Sequence, residues 1–200
     1  MLLNHVILAF LWIIYCVLHS VLASTSVKQS VQQRLGKNYK YYRIFYTVFS
    51  FLFLVALLYF QVTISTSQLF NLTSFSVLFG ILITFAGLML MIACIGKYFI
   101  SLSGLRSLVS ENSSNQLMIT GVHRYVRHPL YLGTFIFIWG LFLLLPYLSL
   151  LIANTIITIY TLIGITLEEK KLIREFGESY LQYRSKVPKL LPLLKPKRNE

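Results

Sequence analysis

Long, nearly uncharged apolar runs alternate with short polar segments along this chain, and the first run, Leu2 to about Ala23, already restricts what it can fold into. At about 1.5 Å of rise per helical residue, such a run can cross the roughly 30 Å hydrocarbon core of a bilayer, where the backbone must satisfy its own hydrogen bonds. Further runs follow at about 44–60, 75–99, 129–145 and 148–167, so the expected fold is an all-α integral membrane protein with five transmembrane helices. Apolar residues make up 56% of the chain, which argues against an ordinary soluble domain. Two hundred residues with one such pattern predict a single membrane domain, 1–200. The first run is long and has no basic residue ahead of it, which favours a retained helix over a cleaved leader.

The polar segments carry the organisation. Residues 24–43 contain Lys28, Arg34, Lys37, Lys40 and Arg43 with no acidic residue, and read as an amphipathic interfacial segment or a short helical linker with a break near Gly36. Residues 61–74 are uncharged and rich in Ser and Thr, a short connection on the opposite face. In the third run, Gly80, Gly87 and Gly96, with Ala86 and Ala93, either admit a closely packed helix or leave room for a ligand. Residues 100–120 read as a loop with Arg106 and Glu111, long enough to cover a site and lay Leu105 and Leu108 on the membrane. Pro146 predicts a tight turn that makes the last two runs antiparallel neighbours. Beyond them Leu172, Phe176 and Tyr180 share a helical face, predicting a C-terminal amphipathic interfacial helix over 172–183, weakened modestly at Gly177. The basic tail with Pro192 and Pro196 is expected to be poorly ordered.

Charge supplies a topology. The net charge is +12, and the 18 Lys and Arg residues fall in three groups: five within 28–43, four within 97–127 and nine from Lys170 onward. Counted over five spans they all lie on one side, which predicts an outside N-terminus and a cytoplasmic C-terminus and active site in the cell membrane. Positive charge gathered beside apolar runs is accounted for by membrane topology, so nucleic acid is not an expected partner. Cys16 and Cys94 lie in apolar runs without a CxxC motif and read as buried free thiols. With four histidines in the whole chain, no metal site is expected, the alternative being coordination by His123 and His128 together with glutamates. No oligomer is required, because the small-residue faces can be used within one bundle.

The chemistry-bearing stretch is residues 121–133, GVHRYVRHPLYLG. His123, Arg124, Arg127 and His128 stand directly before Pro129 and an apolar run, at a membrane edge where they can meet an anionic ligand or act as topology signals and headgroup contacts. Tyr125 and Tyr131 suit an interface or a pocket wall. Pro129 fits the first turn of a helix and biases His128 toward extended backbone. Glu168 and Glu169 close the last run, as caps and interfacial ion pairs or as the acidic half of a pocket with Arg127, His128, Tyr180 and Arg184. In the first run, His19 and Ser20 are the odd residues, either interfacial or in contact with a substrate pocket.

The ordered set Arg127-His128-Pro129-Leu130-Tyr131-Leu132-Gly133, then Glu168-Glu169, Phe176-Gly177-Glu178-Ser179-Tyr180, Tyr183-Arg184 and Val187-Pro188 resembles the integral-membrane methyltransferases, which include isoprenylcysteine carboxyl methyltransferases and phospholipid N-methyltransferases. It spans about 121–192. His19-Ser20, Leu22-Ala23-Ser24, Lys28 and Tyr42-Arg43-Ile44-Phe45-Tyr46 are similar to methanethiol S-methyltransferase and NnrU-like proteins. The resemblance implies an S-adenosyl-L-methionine cofactor held by His123, Tyr125, Arg127, His128, Tyr131, Glu168, Glu169 and Tyr180. It further implies Glu168, Arg184 and His128 in catalysis, with His19 and Arg184 toward the substrate. The preferred acceptor is a small or lipophilic thiol; a prenylated cysteine carboxylate, a phospholipid amine, or no acceptor at all in a noncatalytic binding or scaffolding protein are the alternatives.

Overall fold

The computed structural model describes residues 1–102, 117 and 119–191. The expectations for Leu105, Arg106, Leu108 and Glu111, and for the tail with Pro192 and Pro196, lie outside the described residues. Helices follow one another as α1 (Leu2–Ala23), α2 (Thr25–Leu35), α3 (Tyr39–Thr63), α4 (Ser74–Leu102), α5 (Pro129–Leu144), α6 (Leu148–Phe176) and α7 (Glu178–Lys186), with 3-10 turns at Gly36–Asn38 and Gly121–Arg124. No sheet is present among the described residues, and Gln68 and Tyr147 form an isolated antiparallel bridge.

Among the described residues four helices, not five, are long and apolar enough to span a membrane: Leu2–Ala23, Ile44–Thr63, Ser74–Gly96 and Leu148–Phe176. The chain is a multi-pass membrane protein. The run expected to be the fourth of five spans is α5, whose 16 residues rise only about 24 Å, short of a hydrocarbon core of roughly 30 Å. Prolines set that length: Pro129 occupies its first turn, and past its end Pro146 sits in a turn closed by Tyr147 N–H donating to the Leu145 carbonyl at 2.7 Å. The orientation derived from five crossings therefore loses its premise.

The chain divides into two compact units, Met1–Asn71 with Leu145–Tyr160 and Leu72–Leu144 with Thr161–Glu200. In the first, Leu8, Trp12, Leu57, Ile64 and Ala153 are buried together. Lipid offers no hydrogen bonds to buried polar groups, so these must pair internally. Trp12 Nε1–H donates to Gln61 Oε1 at 2.9 Å, and His5 Nδ1 lies 2.9 Å from the Met1 carbonyl. His5 Nε2 meets Thr66 Oγ1 at 3.0 Å, and that oxygen also accepts Ser149 N–H at 3.0 Å. The basic segment does form a helix, α2, capped by Ser24 Oγ accepting from Val27 N–H. It ends at Gly36, whose φ of +49° makes the expected break. Cys16 and Cys94 are buried and free.

In the second unit α4 and α5 pack at backbone distance. A Cβ on Gly140 would lie 2.6 Å from Thr84 N, and one on Gly80 2.7 Å from Leu144 Cδ2. One on Gly87 would overlap the Phe137 backbone nitrogen. Gly80 and Gly87 are thus packing positions. Gly96 has nothing among the described residues within 4 Å of an added Cβ. The expected surface helix over 172–183 is also corrected, since α6 runs unbroken through Glu168 and Glu169 to Phe176 and a separate α7 starts after Gly177. Gly177 at φ +54°, ψ −127° takes a conformation that side-chain-bearing residues rarely adopt, so it breaks the helix rather than merely weakening it.

Candidate active site

Three pieces of the second unit build one polar cluster: the segment before α5, the last turns of α6, and α7 with the residues after it. The Gly121–Arg124 turn and the short segment after it bring Arg127 and His128 to the start of α5. Pro129 excludes His128 from the helix proper, yet its carbonyl still accepts Leu132 N–H at 3.0 Å, so its side chain is anchored to a rigid element. The backbone N–H groups of Arg127 and His128 donate to the carbonyls of Pro188 at 2.9 Å and Lys189 at 3.2 Å. Tyr183 adds a clasp, its hydroxyl donating to the His123 carbonyl at 2.8 Å.

Inside this frame Arg127 and Glu169 form an ion pair at 2.6 Å with side chains only 7% and 6% exposed. Both Arg127 Nε at 2.9 Å and Nη2 at 2.6 Å donate to Glu169 Oε1. Nη1 donates to the carbonyls of Arg184, at 3.0 Å, and Val187. His128 Nε2 is 3.3 Å from the same Glu169 oxygen. An ionised carboxylate only accepts, so Nε2 carries the proton and Nδ1 is left with a lone pair. Burial holds His128 below the ordinary histidine range against the opposing pull of Glu168 and Glu169, which keeps the ring neutral at physiological pH.

Nδ1 faces Glu168 Oε2 at 3.8 Å, and that oxygen is buried without a hydrogen-bond partner among the described residues. Two acceptors therefore confront each other with no donor between them. Tyr180 is 1% exposed and its hydroxyl is likewise without a hydrogen bond. Burial, reinforced by the charge of Glu169, pushes that phenol up to about 12, and the Arg127 guanidinium beside it pulls the other way. Lys189 Nζ stands 3.8 Å from Glu169 Oε2. Tyr131 stacks on His128 with ring centroids 5.8 Å apart.

Of the residues expected from sequence, Arg127, His128, Tyr131, Glu168, Glu169 and Tyr180 are brought together. His123 and Arg184 enter through backbone carbonyls, and Tyr125 is 42% exposed. His19 belongs to the other unit, where its ring packs against Tyr15 and Tyr46 at 5.9 and 5.7 Å, while Ser20 Oγ hydrogen-bonds the Tyr160 hydroxyl at 2.9 Å. Sequence reasoning missed Lys189, whose only signal was adjacency to Val187-Pro188. It also missed that the carbonyls of 187–189 hold the basic segment.

Fold and cluster together define an all-α multi-pass membrane protein with a buried mixed-charge site at the end of its apolar helices. The chain belongs to the NnrU protein family, whose model matches residues 7–191. It is 36% identical over 110 residues to a protein-S-isoprenylcysteine O-methyltransferase of Schizosaccharomyces pombe, covering 50% of this chain and 47% of that one. It is 42% identical over 74 residues to a methanethiol S-methyltransferase of Crocosphaera subtropica, 36% of this chain and 28% of that one. A methanethiol S-methyltransferase of Pseudomonas deceptionensis is 40% identical over 76 residues, 37% and 28% of the two chains. The chain spans less than half the length of these relatives. No solved structure gives a significant match.

Proposed function

We propose that this protein is an S-adenosyl-L-methionine-dependent methyltransferase whose acceptor is a small or lipophilic thiol reaching the site at the cytoplasmic membrane face. The observation that carries the reading is the facing pair of donorless acceptors, His128 Nδ1 and Glu168 Oε2, 3.8 Å apart beside the unpartnered Tyr180 hydroxyl. Such a gap asks for a ligand bearing acidic N–H or O–H groups, which the ammonium and ribose hydroxyls of this cofactor supply. The relatives are methyltransferases by name, which supports a methyl donor as the ligand.

When bound, the cofactor supplies an activated methyl on a sulfonium sulfur. Glu168 and His128 would accept its donors, Tyr131 and Tyr180 would wall it, and Arg127 and Glu169 would hold His128 in place behind them. Glu168 has a second role, since its side chain is 43% exposed while Oε2 is buried. Its outer oxygen would take the proton of a thiol acceptor and so leave a thiolate, the nucleophilic form, facing the methyl donor. Arg184, exposed on α7, is assigned to acceptor contact. A thiol is supported by the higher local identities, 42% and 40%, to the methanethiol enzymes. The 110-residue alignment to the isoprenylcysteine enzyme supports a second reading, carboxyl methylation of a prenylated cysteine. A cytoplasmic site with an outside N-terminus is supported by the basic segment directly after α1, which carries five Lys and Arg residues and no acidic one.

Purified protein in lipid nanodiscs, given methyl-labelled cofactor and a panel of small thiols, prenylcysteine analogues and phosphatidylethanolamine, tests the assignment. Label in the thioether is expected. A prenylcysteine methyl ester as the sole product establishes the second reading, and cofactor binding without transfer to any acceptor leaves a noncatalytic binding protein. Absence of cofactor binding overturns the proposal.

A further inference from the structure

The paired acids at the end of α6 do not share one task, and neither do the paired residues before α5. We infer that Arg127 and Glu169 are positioning residues that act on the ligand only through His128 and Glu168, an assignment that rests on the cofactor reading above. A guanidinium has five N–H donors. In Arg127 four are used internally: Nε and Nη2 on Glu169 Oε1, and Nη1 on the carbonyls of Arg184 and Val187. At 7% exposure the side chain has little surface left for a cofactor carboxylate. Glu169 Oε1 is equally committed, receiving both arms of Arg127 and the His128 Nε2 proton.

The geometry gives this pair a definite output. By accepting from Nε2, Glu169 selects the tautomer that turns a lone pair on Nδ1 toward Glu168 Oε2. By reaching two carbonyls, Arg127 fastens the end of α7 and the run after it against the segment before α5. The backbone hydrogen bonds from Arg127 to Pro188 and from His128 to Lys189 continue that seam. Loss of either partner would release the same two things: the imidazole's orientation and the seam that supports it. Loss of the second then has little left to remove.

A double-mutant cycle reads this directly. Affinity for S-adenosylhomocysteine is measured by calorimetry in nanodiscs for the wild type, Arg127→Gln, Glu169→Gln and the double variant, with melting temperature recorded for each. Each single change is expected to weaken binding by about tenfold, and the double by about the same tenfold rather than a hundredfold. Arg127→Lys, which keeps a charge opposite Glu169 but cannot span both carbonyls, should recover part of the loss. A roughly hundredfold, additive loss in the double overturns the assignment, because it means that the two groups touch the ligand independently. Unchanged affinity in both folded single variants, with only melting temperature lowered, overturns it as well, since the pair is then structural and without influence on the site. A wild-type protein that binds no S-adenosylhomocysteine overturns the cofactor reading itself, a failure distinct from either of these.

Discussion

At the scale of single residues, the site is defined by which polar atoms have been given partners and which have not. Tyr180 shows the difference: its ring fills a fully buried position, while its hydroxyl finds no hydrogen bond. Tyr180→Phe should therefore leave stability within about 1 kcal/mol of wild type, since no intramolecular bond is lost, yet weaken S-adenosylhomocysteine binding severalfold if the ligand supplies the missing partner. Thermal melting and calorimetry on the same preparation separate the two effects. His128 makes a pH prediction. Its folded pKa lies below the ordinary 6.5 because burial disfavours the charged ring. Between those two values the unfolded chain binds more protons, so stability is complete above about pH 6.5 and declines as pH falls toward the folded value. His128→Gln should flatten that part of the melting-temperature profile; a profile unchanged by the substitution would place the titration elsewhere. His128, Glu168 and Tyr180 were each visible in the sequence as motif members. What was not visible is that Glu169, not Glu168, takes the arginine, because adjacent helical positions look identical until their directions around the helix are known.

Among the elements, length and contact distance decide. The α4–α5 pair is held by glycines that let backbones touch, so Gly140→Ala, whose Cβ would sit 2.6 Å from Thr84 N, should cost about 1–3 kcal/mol. Gly96→Ala, also in α4 but with no atom of the described residues within 4 Å, should instead stabilise by roughly 0.5–1 kcal/mol through helix propensity. Equal effects of the two, in denaturation of the detergent-solubilised protein, would contradict the packing described for Gly140. All three glycines of α4 looked alike as small positions in an apolar run, and only the neighbouring helix distinguishes Gly80 and Gly87 from Gly96. A similar limit applied to α6 and α7. The heptad-like spacing of Leu172, Phe176 and Tyr180 continued through Gly177 on paper, whereas the backbone turns there into φ +54°.

For the whole molecule, the basic segments remain the strongest signal of orientation now that four helices among the described residues qualify as spans. In a variant lacking Cys16 and Cys94, Gln33→Cys on exposed α2 should react with a membrane-impermeant thiol reagent only in inside-out vesicles, and Ser65→Cys in the exposed 64–73 connection only in right-side-out ones. Labelling of both from one side would remove the basis for a cytoplasmic site. The sequence by itself determined the helical class, the membrane setting and the residues from which the cluster's core is drawn, because hydrophobic run length and motif order are local properties. Tertiary structure alone decided the number of spanning helices, the partner of each glycine and the partition of labour between Glu168 and Glu169. Those depend on where prolines and a left-handed glycine stop a helix, and on which donor arrives from a segment some forty residues away, distances that no linear pattern encodes.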